Sequence, residues 1–176
     1  MEFNRTSLEG VWLVGLEPTH DERGFFARTF CEREFLTHGL ETSYPQHSTS
    51  FSARKGTIRG MHFQREPHSE AKLVRCLSGE IWDVIVDIRP RSPTYCRWQA
   101  IGLSGDNRLQ LYIPKGFAHG FQTLSDNVEV SYLISAFHTP DSASGIRYDD
   151  SAFQIDWPLP VTVISDKDRA WPDFVR

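Results

Sequence analysis

Residues 56–80, GTIRGMHFQREPHSEAKLVRCLSGE, carry the strongest fold signal in the chain. Apolar and polar residues mix on both sides of a polar, proline-containing turn, which predicts two short strands joined as a hairpin. Side chains that could do chemistry recur among the apolar ones: Arg59, His62, Gln64 and Lys72. Because a solvated hairpin seldom carries so many apolar residues, we expect this one to line a pocket. A second histidine, His119, stands in a similar glycine-rich segment, YIPKGFAHGF.

Length and composition predict one domain, residues 1–176, with an ordinary globular balance of 39% hydrophobic and 24% charged residues. The net charge of −4 argues against nucleic acid or an anionic membrane as a partner. The chain shows no secretory signal pattern and no apolar run of spanning length, so no membrane association is expected. Three cysteines, an odd number without metal-ligand spacing, favour free thiols and a cytoplasmic location.

Short segments of strand character follow one another at regular spacing after residue 56. They are separated by turn-forming residues and predict strands at 72–77, 81–88, 95–103, 109–113, 120–123 and 128–137. In residues 81–88, Trp82, Val84, Val86 and Ile88 share one face and Asp83 and Asp87 the other, the alternation of a half-buried strand. Many short antiparallel strands in one domain predict an all-β sandwich or jelly-roll barrel.

Upstream of residue 56 the signals are weaker. Residues 11–16 and the segment HDERGFFARTF predict strands, the second entered from a tight turn at Gly24. Residues 44–54 are polar and predict an irregular strand or loop. A short helix is expected over residues 31–38, with Thr29 and Glu32 spaced as a capping box.

Seven motifs, in order along the chain, resemble the dTDP-4-dehydrorhamnose 3,5-epimerase family. They are RGFF (23–26), GTIRGMHFQ (56–64), EAKLVRCLSGE (70–80), DVIVDIRPRSPTY (83–95), LYIPKGFAHGFQTL (111–124), EVSYLIS (129–135) and ISDKD (164–168). The resemblance spans nearly the whole chain. It implies a cupin-type double-stranded β-helix, a jelly-roll barrel, with short peripheral helices.

The same resemblance implies an isomerase of deoxysugar biosynthesis. The substrate it implies is a nucleoside-diphosphate 4-keto-6-deoxyhexose inverted at C5 and/or C3, above all dTDP-4-dehydro-6-deoxy-D-glucose converted to dTDP-4-dehydro-L-rhamnose. No cofactor and no metal is expected. The family pattern further implies a homodimer with an exchanged N-terminal strand, in which RGFF contributes to the neighbour's site.

Inverting a carbon beside a ketone requires a base on one face, an acid on the other and a stabiliser for the enolate. By resemblance, His62 is the base, Asp168 orients its imidazole, Tyr132 is the acid and Lys72 stabilises the enolate. Six further residues stand at positions that the family uses to bind substrate: Arg23, Phe26, Gln46, Arg59, His119 and Lys167. Arg59 and His62 lie three apart, so a bulge at Gly60 is expected to turn both inward. Tyr132 alternates in phase with Val130 and Ile134 and should point into the barrel.

Three alternatives stay open on the sequence. A metal-binding cupin needs a His-x-His pair, but here the pair reads His62-Phe63-Gln64, which leaves Glu70 and His119 as further ligands. A non-catalytic sugar-nucleotide-binding cupin would not need the acid–base residues. A single-site 3- or 5-epimerase is the third, because Arg28 and Ala143 stand where the family commonly has acidic residues.

Overall fold

The structure, a computed structural model, describes residues 1–175 and is almost entirely β. The strands are β1 Glu2–Arg5, β2 Trp12–Gly15, β3 Thr19–Asp21, β4 Gly24–Phe26, β5 Gln46–Ser52, β6 Ile58–Gln64, β7 Lys72–Ser78, β8 Glu80–Asp87, β9 Trp98–Ser104, β10 Gln110–Ile113, β11 Phe117–Thr123, β12 Val128–Ile134 and β13 Ala143–Gly145. Two short helices, α1 Glu32–Thr37 and α2 Asp166–Arg169, and a 3₁₀ turn, Pro140–Ser142, complete the elements. None of the helices within these residues is long and apolar enough to cross a membrane.

Two antiparallel sheets pack face to face. The six-stranded sheet has the order β1-β2-β10-β7-β12-β5, the five-stranded sheet has the order β13-β6-β11-β8-β9, and β3 and β4 form a separate hairpin. Neighbours that are distant in sequence, such as β10 with β2 and β12 with β5, give the sandwich the crossed connections of a jelly roll. The core between the sheets combines residues from both, for example Val74 and Leu111 with Ile85 and Phe121. The predicted all-β sandwich is therefore confirmed.

Strand β8 is buried on both faces rather than on one. Trp82, Val84 and Val86 do share a face, as predicted, and pack in one cluster. The expectation of a half-buried strand was wrong, because Asp83 and Asp87 are both 0% exposed. The reason is the jelly-roll architecture: one face of β8 meets the opposite sheet, and the other is covered by the C-terminal segment.

The predicted bulge at Gly60 is present in β6. His119 of β11 pairs with His62 of β6, and Phe121 pairs with Arg59. Moving two residues along β11 therefore corresponds to moving three residues along β6, so β6 contains one extra residue. Gly60 has φ +135°, and a Cβ added there would lie 2.5 Å from the Cα of Gly120. Only glycine fits this position, and the extra residue turns Arg59 and His62 toward the same cavity.

Several local expectations need correction. The helix at residues 31–38 is present as α1, but its N-cap is Cys31, without a side-chain cap, so the capping box of Thr29 and Glu32 was wrong. Residues 44–54, expected to be irregular, contain the regular edge strand β5, because β12 supplies a full ladder of partners. The strand predicted from residue 95 begins at Trp98, since Cys96 lies in a turn with φ 61°. The local sequence pattern did not predict strand β1; the N-terminal strand that the family pattern implies is present as β1 and pairs with β2 of its own chain.

Candidate active site

A cavity of about 490 Å³ opens between the two sheets. The six-stranded sheet contributes Ser48 and Ser50 from β5, Lys72 from β7 and Tyr132 from β12. The five-stranded sheet contributes Arg59 and His62 from β6 and His119 from β11, and the α2 region adds Ser165 and Asp168. All four predicted catalytic residues therefore line one cavity, together with two of the predicted substrate-binding residues.

His62 forms a short hydrogen bond with Asp168, 2.6 Å between Nε2 and Oδ1. Asp168 is held in place from two sides, because its other oxygen accepts the Gly60 N–H and its own N–H is capped by Ser165. Burial, the largest single influence, tends to raise the pKa of Asp168. The hydrogen bond and charge of His62, together with the Gly60 N–H and Ser165, outweigh it, so the pKa lies below the ordinary value. The carboxylate stays ionised and orients the imidazole, whose Nδ1 remains for a proton. The His62 side chain is 44% exposed, so a ligand can reach it.

Tyr132 lies on the facing sheet. Its hydroxyl is 2.9 Å from Ser50 Oγ, and its ring packs beside His119, with the centroids 6.4 Å apart. Burial raises the pKa of Tyr132 well above that of a free phenol, so the hydroxyl stays protonated at neutral pH. A protonated hydroxyl across the cavity from an imidazole is placed to donate a proton to the opposite side of a bound molecule.

Lys72 stands at the start of β7, between the base and a second, smaller cavity. Its ammonium is 3.1 Å from Glu70 Oε1 and donates to the His62 carbonyl at 3.3 Å. The Lys72 side chain is only 12% exposed. A fixed ammonium in a poorly solvated place can stabilise an oxyanion more strongly than one in water.

The second histidine, His119, lies in the wall of the main cavity but is almost fully buried. His119 Nε2 is 2.7 Å from Asp83 Oδ1, and the side chains are 5% and 0% exposed. We did not predict this pair from the sequence. The signal was available, because Asp83 alternates in phase with Ile81 and Ile85 and must point into the core, where a carboxylate needs a partner.

The smaller cavity, about 240 Å³, shares the side chains of His62 and Lys72 with the main one. It contains the predicted substrate-binding residues Gln46 and Lys167. Gln46 Oε1 accepts the His138 N–H, and the Lys167 ammonium lies 5.4 Å from the ring centroid of Trp171. The sequence did not suggest His138 or Trp171 as wall residues, and it offered Glu70 only as a possible metal ligand. Their side chains come from separate turns and the C-terminal segment, and only the fold brings them together.

Gln64 was expected in the pocket wall. It lines the smaller cavity, and its side-chain amide is already hydrogen-bonded within the protein. It donates to the His68 carbonyl at 2.9 Å and accepts the Thr139 N–H at 2.6 Å. Gln64 therefore fixes loops around the site. Within residues 1–175, no group of three or more His, Cys, Asp or Glu side chains is arranged to hold a metal ion.

Arg23 and Phe26 lie outside both cavities, on the β3–β4 hairpin. The Arg23 guanidinium pairs with Asp21 at 2.5 Å and the side chain is 84% exposed, while Phe26 is 77% exposed. Arg28 is also exposed and lies 3.6 Å from Glu34, whereas Ala143 lines the smaller cavity.

Comparison with known proteins decides the family. The family model described as dTDP-4-dehydrorhamnose 3,5-epimerase matches residues 5–176. The chain belongs to this family. A family member from Methanothermobacter thermautotrophicus, described as dTDP-4-dehydrorhamnose 3,5-epimerase, is 46% identical over 172 residues, which cover 96% of this chain and 92% of that protein.

Solved structures of the family superpose on this chain over nearly their full length. The dTDP-4-dehydrorhamnose 3,5-epimerase from Elizabethkingia anophelis superposes with a TM-score of 0.96 at 37% identity, covering 99% of this chain and 96% of that one. The Legionella pneumophila dTDP-6-deoxy-D-glucose-3,5-epimerase, solved in complex with dTDP-4-keto-L-rhamnose, gives 0.90 at 38% identity, covering 97% and 90%. The resemblance stated from the sequence is confirmed, and with it the cupin-type jelly-roll fold.

Proposed function

We propose that this chain inverts C5 and C3 of dTDP-4-dehydro-6-deoxy-D-glucose to give dTDP-4-dehydro-L-rhamnose. One observation carries the proposal: an imidazole paired with a carboxylate and a protonated phenol line one cavity from opposite sheets, with an ammonium beside them. The substrate class rests on family membership and on the sugar nucleotide bound by the Legionella pneumophila relative.

The reaction begins with His62. The C4 ketone acidifies the hydrogens on C3 and C5, and Nδ1 of His62 takes one of them. Asp168 holds the ring in the required orientation and balances the imidazolium that forms. The electron pair left on the carbon moves onto the ketone oxygen, so an enolate develops.

Lys72 stabilises the negative charge on the enolate oxygen. Tyr132 then delivers its proton to the carbon from the opposite face, and the configuration inverts. Solvent protons restore Tyr132, and His62 returns its proton to solvent before the second carbon reacts. Because nothing is oxidised or reduced overall and the ketone itself supplies the acidity, this chemistry requires no cofactor or metal.

The rest of the substrate is anionic, and its diphosphate suits guanidinium and ammonium groups. Arg59 borders the main cavity, with Nε donating to Ser52 Oγ and Nη2 to the Phe51 carbonyl. These two bonds fix the guanidinium and leave Nη1 for a phosphate oxygen. Gln46, His119 and Lys167 complete the substrate-binding set that we propose.

We also propose that residues 1–176 act as one epimerase domain in a cytoplasmic homodimer. The free edge of β1 and the exposed Phe26 are suited to a second copy, and a dimer would allow Arg23 and Phe26 to serve the neighbour's site. Within residues 1–175 the cysteines are unpaired thiols, as expected in a reducing compartment.

Mixing two inactive variants tests the dimer. If Arg23 serves the partner's site, mixing R23A and H62N chains after dissociation should restore activity at one site of each mixed dimer. Light scattering should give twice the chain mass of 20.2 kDa. A monomer, or mixtures that stay as inactive as their components, would contradict the shared site.

The activity itself is tested by incubating the protein with dTDP-4-dehydro-6-deoxy-D-glucose and following the proton couplings at C3 and C5 by NMR. We expect both centres to invert. The matched control is dTDP-glucose, which lacks the C4 ketone and should remain unchanged. Inversion at one carbon alone would indicate a single-site epimerase, and inversion at neither would contradict the proposal.

A further inference from the structure

Lys72 does not enter the cavity wall alone but together with Glu70. Glu70 precedes Lys72, the first residue of β7, by two positions, and an ion pair joins the two side chains. The ammonium is 3.1 Å from Glu70 Oε1, and the side chains are 12% and 6% exposed. This is an ion pair almost fully removed from solvent.

The hydrogen bonds of the ammonium can be counted. A protonated lysine has three N–H donors. The Lys72 ammonium forms an ion pair with Glu70 Oε1 and donates one N–H to the His62 backbone carbonyl, 3.3 Å away. Lys72 lines both cavities, whereas Glu70 lines only the smaller one, so the carboxylate holds the ammonium from behind. The third N–H is left for the main cavity, where His62 and Tyr132 lie.

Glu70 is poorly explained as a stabilising residue. Its second oxygen, Oε2, is buried without a hydrogen-bond partner within the described part of the chain. A half-satisfied buried carboxylate is costly, and buried ion pairs often contribute no more stability than neutral residues of similar shape. A role in the chemistry accounts for a carboxylate at this position.

We propose that Glu70 is a positioning residue that fixes the Lys72 ammonium so that its third N–H meets the developing enolate oxygen. The inference rests on the proposed function and adds to it a residue that acts only through Lys72. It requires that loss of Glu70 slow proton abstraction rather than weaken substrate binding.

Five variants test this role: E70Q, E70A, K72A, the double variant E70Q/K72A and E80Q. The readout is the rate of deuterium exchange into substrate, expressed per site that binds dTDP so that any unfolded fraction is excluded. E70Q keeps the shape and removes the charge, and E70A removes both. We expect kcat to fall about 10-fold in E70Q and about 10²-fold in E70A, with KM changed less than about 3-fold. In the K72A background, E70Q should cause no further loss, because the group it positions is gone. E80Q, at an exposed glutamate of β8, should behave as wild type.

The outcomes separate the two proposals. Wild-type kcat in both E70Q and E70A would overturn the role of Glu70. The same fold-loss from E70Q with and without Lys72 would also overturn it, because Glu70 would then act independently. Absence of exchange in the wild-type protein would instead contradict the proposed epimerase function.

Discussion

The two histidine–carboxylate pairs of this protein are chemically alike and face each other in the same sheet, but only one is open. His62 and His119 are register partners on β6 and β11. Their bonds to Asp168 and Asp83 measure 2.6 and 2.7 Å. The His62 side chain is 44% exposed, whereas that of His119 is 5% exposed.

The two pairs contain the same residue types, so the difference in role follows from accessibility. The exposed His62 can act as a base, whereas the buried His119 can only support the cavity wall or line it for a ligand. Asp168 comes from the C-terminal helix α2 and can orient His62 at the edge of the cavity without burying it. Asp83 comes from β8, an interior strand of the five-stranded sheet, and holds His119 against the core. The four predictions below test this contrast, from the largest expected effect to the smallest.

Replacing each histidine by asparagine should give very unequal losses. H62N removes the base and should lower kcat about 10⁴-fold, at the upper end for general base catalysis. H119N removes one hydrogen-bonding group from the cavity wall and should cost about 10-fold in kcat/KM. Steady-state kinetics on both variants measures this difference, and comparable losses would contradict the division of roles.

Replacing the two carboxylates should affect different properties: D168N mainly activity, and D83N mainly stability. D168N should lower kcat about 10²-fold or more by disturbing the imidazole's orientation, and it should lower the unfolding free energy less than D83N does. D83N should lower kcat less than about 10-fold but destabilise by about 1–3 kcal/mol, because its amide places donors where Asp83 Oδ2 has no partner within residues 1–175. Kinetics and urea unfolding of the pair measure both effects. A stable D83N with a large kcat loss would assign catalysis to the sealed pair.

Tyr132 belongs to the sealed side of the cavity, beside His119, and should affect inversion more than proton removal. In Y132F, exchange of substrate hydrogens with solvent should persist, while formation of the inverted product falls about 10-fold or more relative to exchange. Parallel NMR measurement of deuterium content and product gives the ratio. An unchanged ratio would exclude Tyr132 as the acid.

The smallest expected effect is on the pH dependence of folding stability. The pKa of Asp168 is lower in the folded chain than its unfolded value of about 3.9, so its ionised form stabilises the fold above that value. This contribution is lost as pH falls from about 3.9 through the folded pKa. Melting temperatures of wild type and D168N should therefore run parallel above pH about 5 and converge below pH about 4. Curves parallel throughout would show that Asp168 does not titrate with folding.

Much of the fold could be predicted from local patterns. Turn-forming residues at regular spacing identified most strands, and the spacing of Arg59 and His62 required the Gly60 bulge that the structure contains. These features could be predicted because each depends on a short segment. The capping box at Thr29 failed because the α1 cap depends on local backbone geometry, and strand β1 carries too few apolar residues to show alternation.

The site was predictable where the chemistry needs a particular residue type, and less so where partners meet across the fold. The cavity brings together His62, Lys72, Tyr132 and Asp168, which the family motifs identified. The partners Asp83 and Ser50 were missed, because a hydrogen bond between distant segments leaves no local pattern. The ion pair of Glu70 with Lys72 was missed although the residues are close in sequence, because Glu70 was considered only as a possible metal ligand. Arg23 and Phe26 remain predictions that depend on a second chain.

The most direct test of the open imidazole as the base is exchange in heavy water. Wild-type and H62N proteins are incubated with dTDP-4-dehydro-6-deoxy-D-glucose in D₂O, and deuterium at each sugar carbon is measured by NMR. The account predicts deuterium at C3 and C5 with the wild-type protein and none above background with H62N, although H62N still binds dTDP. Exchange by H62N at a rate near wild type would contradict it.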